Sequence, residues 1–248
     1  MRLLCTDRIE TIEAYSTDIP RYAILSHTWS DGEGLLQDSS RLRKQGFAKL
    51  RKSVALAKRN GFGFDYLWVD TCCIDKSSSV ELSEAINSMH QWYQNADVCY
   101  AYLADAELAG SEDFTRGWTL QELIALGTVE FFAYGWSYLG SKDESNAFTN
   151  LLHEITGIKH DVLTGEDSLA DIIIASRMRW ASSRQTTRIE DVAYCVLGLF
   201  DVNMPLLYGE GMKALTPSRK PSFSRTTISR CLLGIVSRLT IRRVRRDG

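Results

Sequence analysis

Four short apolar runs, separated by segments with helical spacing, constrain this chain more than any other feature. They are residues 22–26 (Tyr-Ala-Ile-Leu-Ser), Tyr66–Val69 (Tyr-Leu-Trp-Val), 98–103 and 129–133. A strand with one wet face alternates apolar and polar residues, whereas near-continuous apolar runs must be covered on both faces. Between the first two runs, Phe47, Leu50, Val54 and Ala57 share one helical face before a stop at Asn60-Gly61. Between the next two, Ser78-Ser-Val-Glu81 fits a capping box ahead of Leu82, Ile86, Met89, Tyr93 and Ala96. A shorter helix over 118–126 precedes the fourth run. Parallel strands need long crossovers, and helices of this kind supply them. The expectation is an α/β fold: a flavodoxin-like, mostly parallel sheet flanked by helices.

The flanks read differently. Residues 2–5 and 8–15 form an expected hairpin with Thr6-Asp7 at its turn. From about 137 the pattern turns helical, with Phe148, Leu151, Leu152 and Ile155 in one stripe and a second helix over roughly 168–181. A third starts at a capping box, Thr187-Arg-Ile-Glu190, and carries Val192, Ala193, Val196 and Leu199. The expected organisation is therefore an α/β core over 1–136, a C-terminal helical subdomain over 137–214, and a basic tail over 215–248.

Composition is that of a soluble globular protein, 44% hydrophobic and 24% charged. No signal-peptide pattern, membrane-length apolar run or N-x-S/T sequon is present. The six cysteines (5, 72, 73, 99, 195 and 231) form no C-x-x-C pair. They read as free thiols of a cytoplasmic protein, and with four separated histidines no metal site is expected. Cys72 and Cys73, at an expected strand end, would point to opposite faces. The net charge of −2 hides an asymmetry: residues 215–248 hold nine Lys/Arg and one acid, leaving 20 basic and 30 acidic residues in 1–214. The body is not expected to bind nucleic acid. In the tail, the short apolar run 231–241 could lie on a membrane surface, but its Ser/Thr/Arg-rich surroundings favour a disordered or aberrant segment.

In open parallel sheets, ligands bind beyond the carboxyl ends of the strands. Those ends supply Ser26, His27 and Trp29 after the first run, Asp70 after the second and Asp105 after the third. The approach to the 118–126 helix adds Arg116, and the helix itself adds Trp118 and Glu122. Each also has an ordinary structural reading: a hydrogen-bonding histidine, an Asp capping a turn, a solvated helical glutamate. Asp31-Gly-Glu-Gly34 lacks a lysine and makes a poor phosphate cradle, and no G-x-S-x-G elbow is present.

Three blocks carry a resemblance: Tyr22-Ala-Ile-Leu-Ser-His-Thr-Trp29, Tyr66-Leu-Trp-Val-Asp-Thr-Cys-Cys-Ile-Asp-Lys76 and Arg116-Gly-Trp-Thr-Leu-Gln-Glu-Leu123. In that order they resemble the signature of the fungal heterokaryon-incompatibility (HET) domain. The match runs on to Asn203-Met-Pro-Leu-Leu-Tyr-Gly-Glu-Gly211 and lapses after Ala214. The resemblance implies a role in non-self recognition and programmed cell death, with protein partners or self-association. The lapse at 215 raises the alternative of a truncated, inactive remnant. A more distant resemblance is to Toll/interleukin-1 receptor (TIR) domains, through Ser26-His27 and the Trp118-x-x-x-Glu122-Leu123 helix. It implies a TIR-like layout with Glu122 as the catalytic carboxylate. Ser26, His27, Trp29, Asp70, Arg116 and Trp118 would then surround a dinucleotide. NAD would be a substrate and no prosthetic group is implied. The non-enzymatic alternative is a signalling module that acts by assembly.

Overall fold

The computed structural model of the protein describes residues 1–15, 18–28, 48–59, 63–104, 111–143, 145–188 and 190–209. Trp29, the 30–40 loop, Phe47, the Asn60-Gly61 stop, Asp105 and the 215–248 tail lie outside the described residues.

A seven-stranded mixed sheet is built from β1 (Arg2–Cys5), β2 (Glu10–Glu13), β3 (Ala23–His27), β4 (Tyr66–Val69), β5 (Val98–Tyr102), β6 (Val129–Phe132) and β7 (Tyr138–Ser141). Its order is β2-β1-β4-β3-β5-β6-β7. The four apolar runs form the parallel centre, β4-β3-β5-β6. Every residue of β3 and β5 is buried, as strands covered on both faces require. The β1/β2 hairpin closes one edge antiparallel to β4, and β7 closes the other antiparallel to β6.

The crossovers are α1 (Ala48–Arg59), α3 (Ser79–Asn95) and α4 (Thr119–Ala125), with the single turn α2 (Asp70–Cys73) directly after β4. The chain steps one way from β3 to β4 and the other way from β4 to β5. Right-handed crossovers therefore put α1 on one face, and α3 and α4 together on the other. Ser78 caps α3 by accepting from Glu81 N–H at 3.3 Å. The glutamate half of that box takes other partners. Glu81 accepts from Asp75 N–H and from both terminal nitrogens of Arg2, pinning the edge hairpin to α3.

Three local expectations change. Cys72 and Cys73 lie in the α2 turn and are both buried, because the chain leaves β4 by coiling at Asp70. The chain does not turn helical at 137, since β7 adds a strand there first. Gly140 in β7 carries a φ of 149°, and a Cβ there would lie 2.6 Å from the Phe148 ring. The third change concerns Thr187-x-x-Glu190, which forms no capping box. The helix α8 (Asp191–Tyr194) begins after Glu190, whose buried carboxylate accepts from Gly209 N–H instead. The remaining helices are α5 (Asn146–Thr156), α6 (His160–Thr164) and α7 (Ile174–Ser182).

Candidate functional site

The parallel order β4-β3-β5-β6 reverses direction between β3 and β5, and there the crossovers diverge to opposite faces. In a doubly wound sheet that switch point opens a crevice at the carboxyl ends of the strands. Ser26, His27 and Thr28 end β3 at this point, and Leu103 and Ala104 follow β5.

Glu122 reaches the same place from α4, whose Leu120 and Leu123 are buried in the core beneath it. Its carboxylate accepts a short hydrogen bond from the Ser26 hydroxyl, and the Tyr93 hydroxyl of α3 lies near enough to act on its titration. Burial raises its pKa above the ordinary carboxylate value. The Arg116 charge and the nearby Ser26 and Tyr93 hydroxyls oppose that rise, and the Asp70 charge adds to it. Glu122 keeps a partial window to solvent, although protein atoms crowd its carboxylate enough for burial to dominate its titration. Beside it is a void of about 10 Å³, close to the space one water needs.

The Arg116 charge acts on this carboxylate, while its own contacts lie with the loops beside it. Its Nη1 donates to His27 O at 3.2 Å and to Thr28 Oγ1 at 3.0 Å, and pairs with Asp113 Oδ1 at 3.4 Å. Asp113 is itself buried, accepting from Ala104 N–H and from the Thr28 hydroxyl. Segment 115–117 is held from the far side by the strand-like segment at Gln185. Gln185 N–H donates to Thr115 O at 2.6 Å, and Gly117 N–H to Gln185 O at 2.9 Å. The buried Arg184 guanidinium donates to Arg116 O at 3.0 Å. This approach leaves room only for glycine at 117: a Cβ would lie 2.6 Å from Thr186 Cγ2 and 2.9 Å from Cys195 Sγ.

An open cleft of about 420 Å³ lies over this loop, lined in part by Thr28, Asp113, Arg116, Trp118, Gln185 and Asp191. Ser26, Arg116 and Glu122 thus come together, with Trp118 on the cleft wall at the start of α4. His27 is buried and meets the group through its backbone oxygen. Asp70 stands further back, 3.6 Å from Lys76 Nζ, and acts on Glu122 only through its charge. Trp29 lies outside the described residues.

Sequence reasoning missed Tyr93, Asp113 and Asp191. Tyr93 belonged to a helical apolar stripe, and nothing in a stripe says which side chain comes to lie near a carboxylate. Asp113 had a local signal in Ser111-Glu-Asp-Phe114, where the Ser111 hydroxyl accepts from Asp113 N–H. Among the described residues no cluster of three or more His, Cys, Asp or Glu could hold a metal ion, and no helix is long and apolar enough to cross a membrane.

The fold and site define an α/β protein with a carboxylate held by the Ser26 hydroxyl at the switch point of its sheet. This chain belongs to the fungal heterokaryon-incompatibility (HET) domain family: the family model "Heterokaryon incompatibility protein (HET)" matches residues 22–113. The chain is also similar to the vegetative incompatibility protein HET-E-1 of Podospora anserina, with 44% identity over 226 residues. That alignment covers 83% of this chain but only 16% of the relative's length. No solved structure gives a significant match.

Proposed function

We propose that this chain acts in the cytoplasm as an effector of vegetative incompatibility, arresting growth or killing the cell by TIR-like cleavage of NAD, with Glu122 at the reacting centre. The observation that carries this reading is the carboxylate itself. It lies at the switch point, accepts from the Ser26 hydroxyl, feels the Arg116 charge, and neighbours an open cleft lined by Arg116 and Trp118. In the proposed reaction the C1′–N bond of the nicotinamide ribose breaks and its electron pair leaves with nicotinamide. The departing group is then neutral and needs no general acid. Water supplies the hydroxyl that replaces it, and one proton is released. Glu122 would stabilise the positive charge that develops on the ribose, or hold the ribose hydroxyls.

A second reading is a signalling module that acts by self-association or by engaging a protein partner. One observation favours it: the Glu122 carboxylate is already engaged by Ser26 and is not among the groups that line the open cleft. Inducible expression of wild type and Glu122→Gln, with growth and cellular NAD followed together, separates the two. The enzymatic reading expects wild type to deplete NAD before growth stops, and the glutamine variant to do neither. Killing by wild type at constant NAD would sink it.

A further inference from the structure

Arg116 commits one side-chain nitrogen to the fold. Nη1 alone meets His27 O, Thr28 Oγ1 and Asp113 Oδ1, and the Arg184 guanidinium holds the Arg116 carbonyl. Nε and Nη2 make no hydrogen bond to any described residue. Neither is shut away from solvent, and the side chain stays 33% exposed where it lines the open cleft. A guanidinium is rigid and planar, so fixing Nη1 fixes the direction of the edge formed by Nε and Nη2. Among the described residues that line the cleft, Arg116 is the one cation.

Residues 185–187 add neutral donors. The parallel bridge between Arg116 and Gln185 sets these two residues side by side, so their side chains leave the paired segments in the same direction. The Gln185 amide and the Thr187 hydroxyl are exposed, line the same cleft, and bond to no described residue. Two carboxylates also line it, and both are engaged. Asp191 accepts from the Tyr208 hydroxyl, and Asp113 accepts from the Thr28 hydroxyl and Ala104 N–H. The Asp113 pairing with Nη1, at 3.4 Å, offsets the guanidinium charge only in part. A ligand carboxylate has two oxygens, and the Nε/Nη2 edge would use both. A phosphoryl group has further oxygens for the amide and the hydroxyl. The cleft, about 420 Å³, is larger than a phosphoryl group needs, so that group would belong to a larger molecule.

We propose that the Nε/Nη2 edge of Arg116, with Gln185 and Thr187 near it, is an oxyanion subsite that takes a phosphoryl group of the cleft's ligand. The edge binds two phosphoryl oxygens in parallel, and the neutral donors meet the others. With NAD as the substrate, that group is part of the diphosphate, and Glu122, which does not line the cleft, is left for the ribose end. The identity of the ligand rests on the reading given under Proposed function; the subsite does not.

The test is calorimetric titration of the full chain at low ionic strength with inorganic pyrophosphate, and with citrate as a carboxylate of similar charge. Pyrophosphate is expected to bind, and citrate to bind about tenfold more weakly. Arg116→Lys keeps the charge but loses the two-pronged edge. It should weaken pyrophosphate about tenfold, the worth of one charge-assisted hydrogen bond. Gln185→Ala combined with Thr187→Val removes only exposed side chains and should weaken it about threefold. That pair decides the matter if Arg116→Lys does not fold. A wild-type chain that binds no pyrophosphate overturns the subsite, and so does unchanged affinity in every folded variant. Citrate bound as tightly as pyrophosphate overturns the phosphoryl assignment. NAD turnover by the same preparation separates the subsite from the enzymatic reading. NAD cleaved without pyrophosphate binding sinks the subsite alone. Pyrophosphate bound through Arg116 without NAD cleavage sinks the NAD reading and leaves the subsite standing.

Discussion

Two ionisable groups meet the helix α4, Glu122 from its own first turn and Lys142 packed against its end, and they are handled in opposite ways. At its start, Glu122 is met by the neutral Ser26 hydroxyl and keeps a partial path to solvent. At its finish, Lys142 from the end of β7 is almost wholly buried and donates to Leu123 O at 2.8 Å and to Leu126 O. Those oxygens are among the carbonyls a helix leaves unsatisfied at its C-terminus, and an ammonium there suits the helix dipole. Burial nevertheless lowers the Lys142 pKa to about 8. The ammonium is spent on structure, whereas the carboxylate is bound only by groups that a ligand hydroxyl or a water could replace. One short helix thus lies between an ammonium that closes its end and a carboxylate held by a neutral hydroxyl.

The sharpest way to break that contrast is to neutralise each charge in turn. Glu122→Gln keeps the shape, so stability should stay within about 1 kcal/mol of wild type in urea unfolding. NAD consumption by the purified chain should fall by about 100-fold or more if the carboxylate stabilises the transition state. Equal turnover by a folded glutamine variant would remove Glu122 from catalysis. Lys142→Met should behave the other way round. It leaves two helix-end carbonyls buried without a donor, and should cost about 3 kcal/mol in the same unfolding assay. A loss under about 1 kcal/mol would show that the carbonyls find other partners.

Gly117→Ala tests the loop between these regions. Its Cβ must displace Thr186 or Cys195, an overpacking cost of about 2 kcal/mol, and the Arg116 loop should loosen with it. Unchanged unfolding midpoints would mean that the 184–186 segment is not a tight clamp.

The smallest expected effect is a pH dependence. Lys142 titrates near 8 in the folded chain against 10.5 in the unfolded one, so between those values the unfolded chain binds more protons. Stability must therefore rise with pH across that window. The advantage of wild type over Lys142→Met should widen by about 1 kcal/mol from pH 7 to 9. Glu122 has the opposite sign. Its raised folded pKa means the folded chain binds more protons just above pH 4.5, so stability falls as pH rises there. Any stability gain from Glu122→Gln should then fade as the pH is lowered towards 4.5. A gain independent of pH would remove the carboxylate's burial as its cause.

The parallel centre of the sheet was legible because four runs dense in β-branched, aromatic and aliphatic residues admit few placements other than strands covered on both faces. The α3 start was legible because Ser78 caps by a purely local bond. Its partner glutamate was not, since Glu81 chose Arg2, 79 positions away in sequence, over its own cap. β7 went unseen because four residues including a glycine carry too little alternation to register. The second box at Thr187 looked as good as the first, but Glu190 is buried and its carboxylate was claimed by Gly209. At the site, Ser26, Arg116 and Glu122 could be named from position along the chain. Their arrangement could not, and neither could Tyr93 or Asp113.

What the sequence determined by itself was the α/β class, the three HET-type blocks and the edge of the sheet on which its polar residues gather. Periodicity and strand order act locally along the chain, so they survive in the linear text. Only the tertiary structure decided that Glu122 accepts from Ser26, that Lys142 closes α4, and that Asp191 accepts from Tyr208. Each of those contacts joins residues from separate elements, and what such a contact does to a charge depends on how much water the surrounding fold excludes.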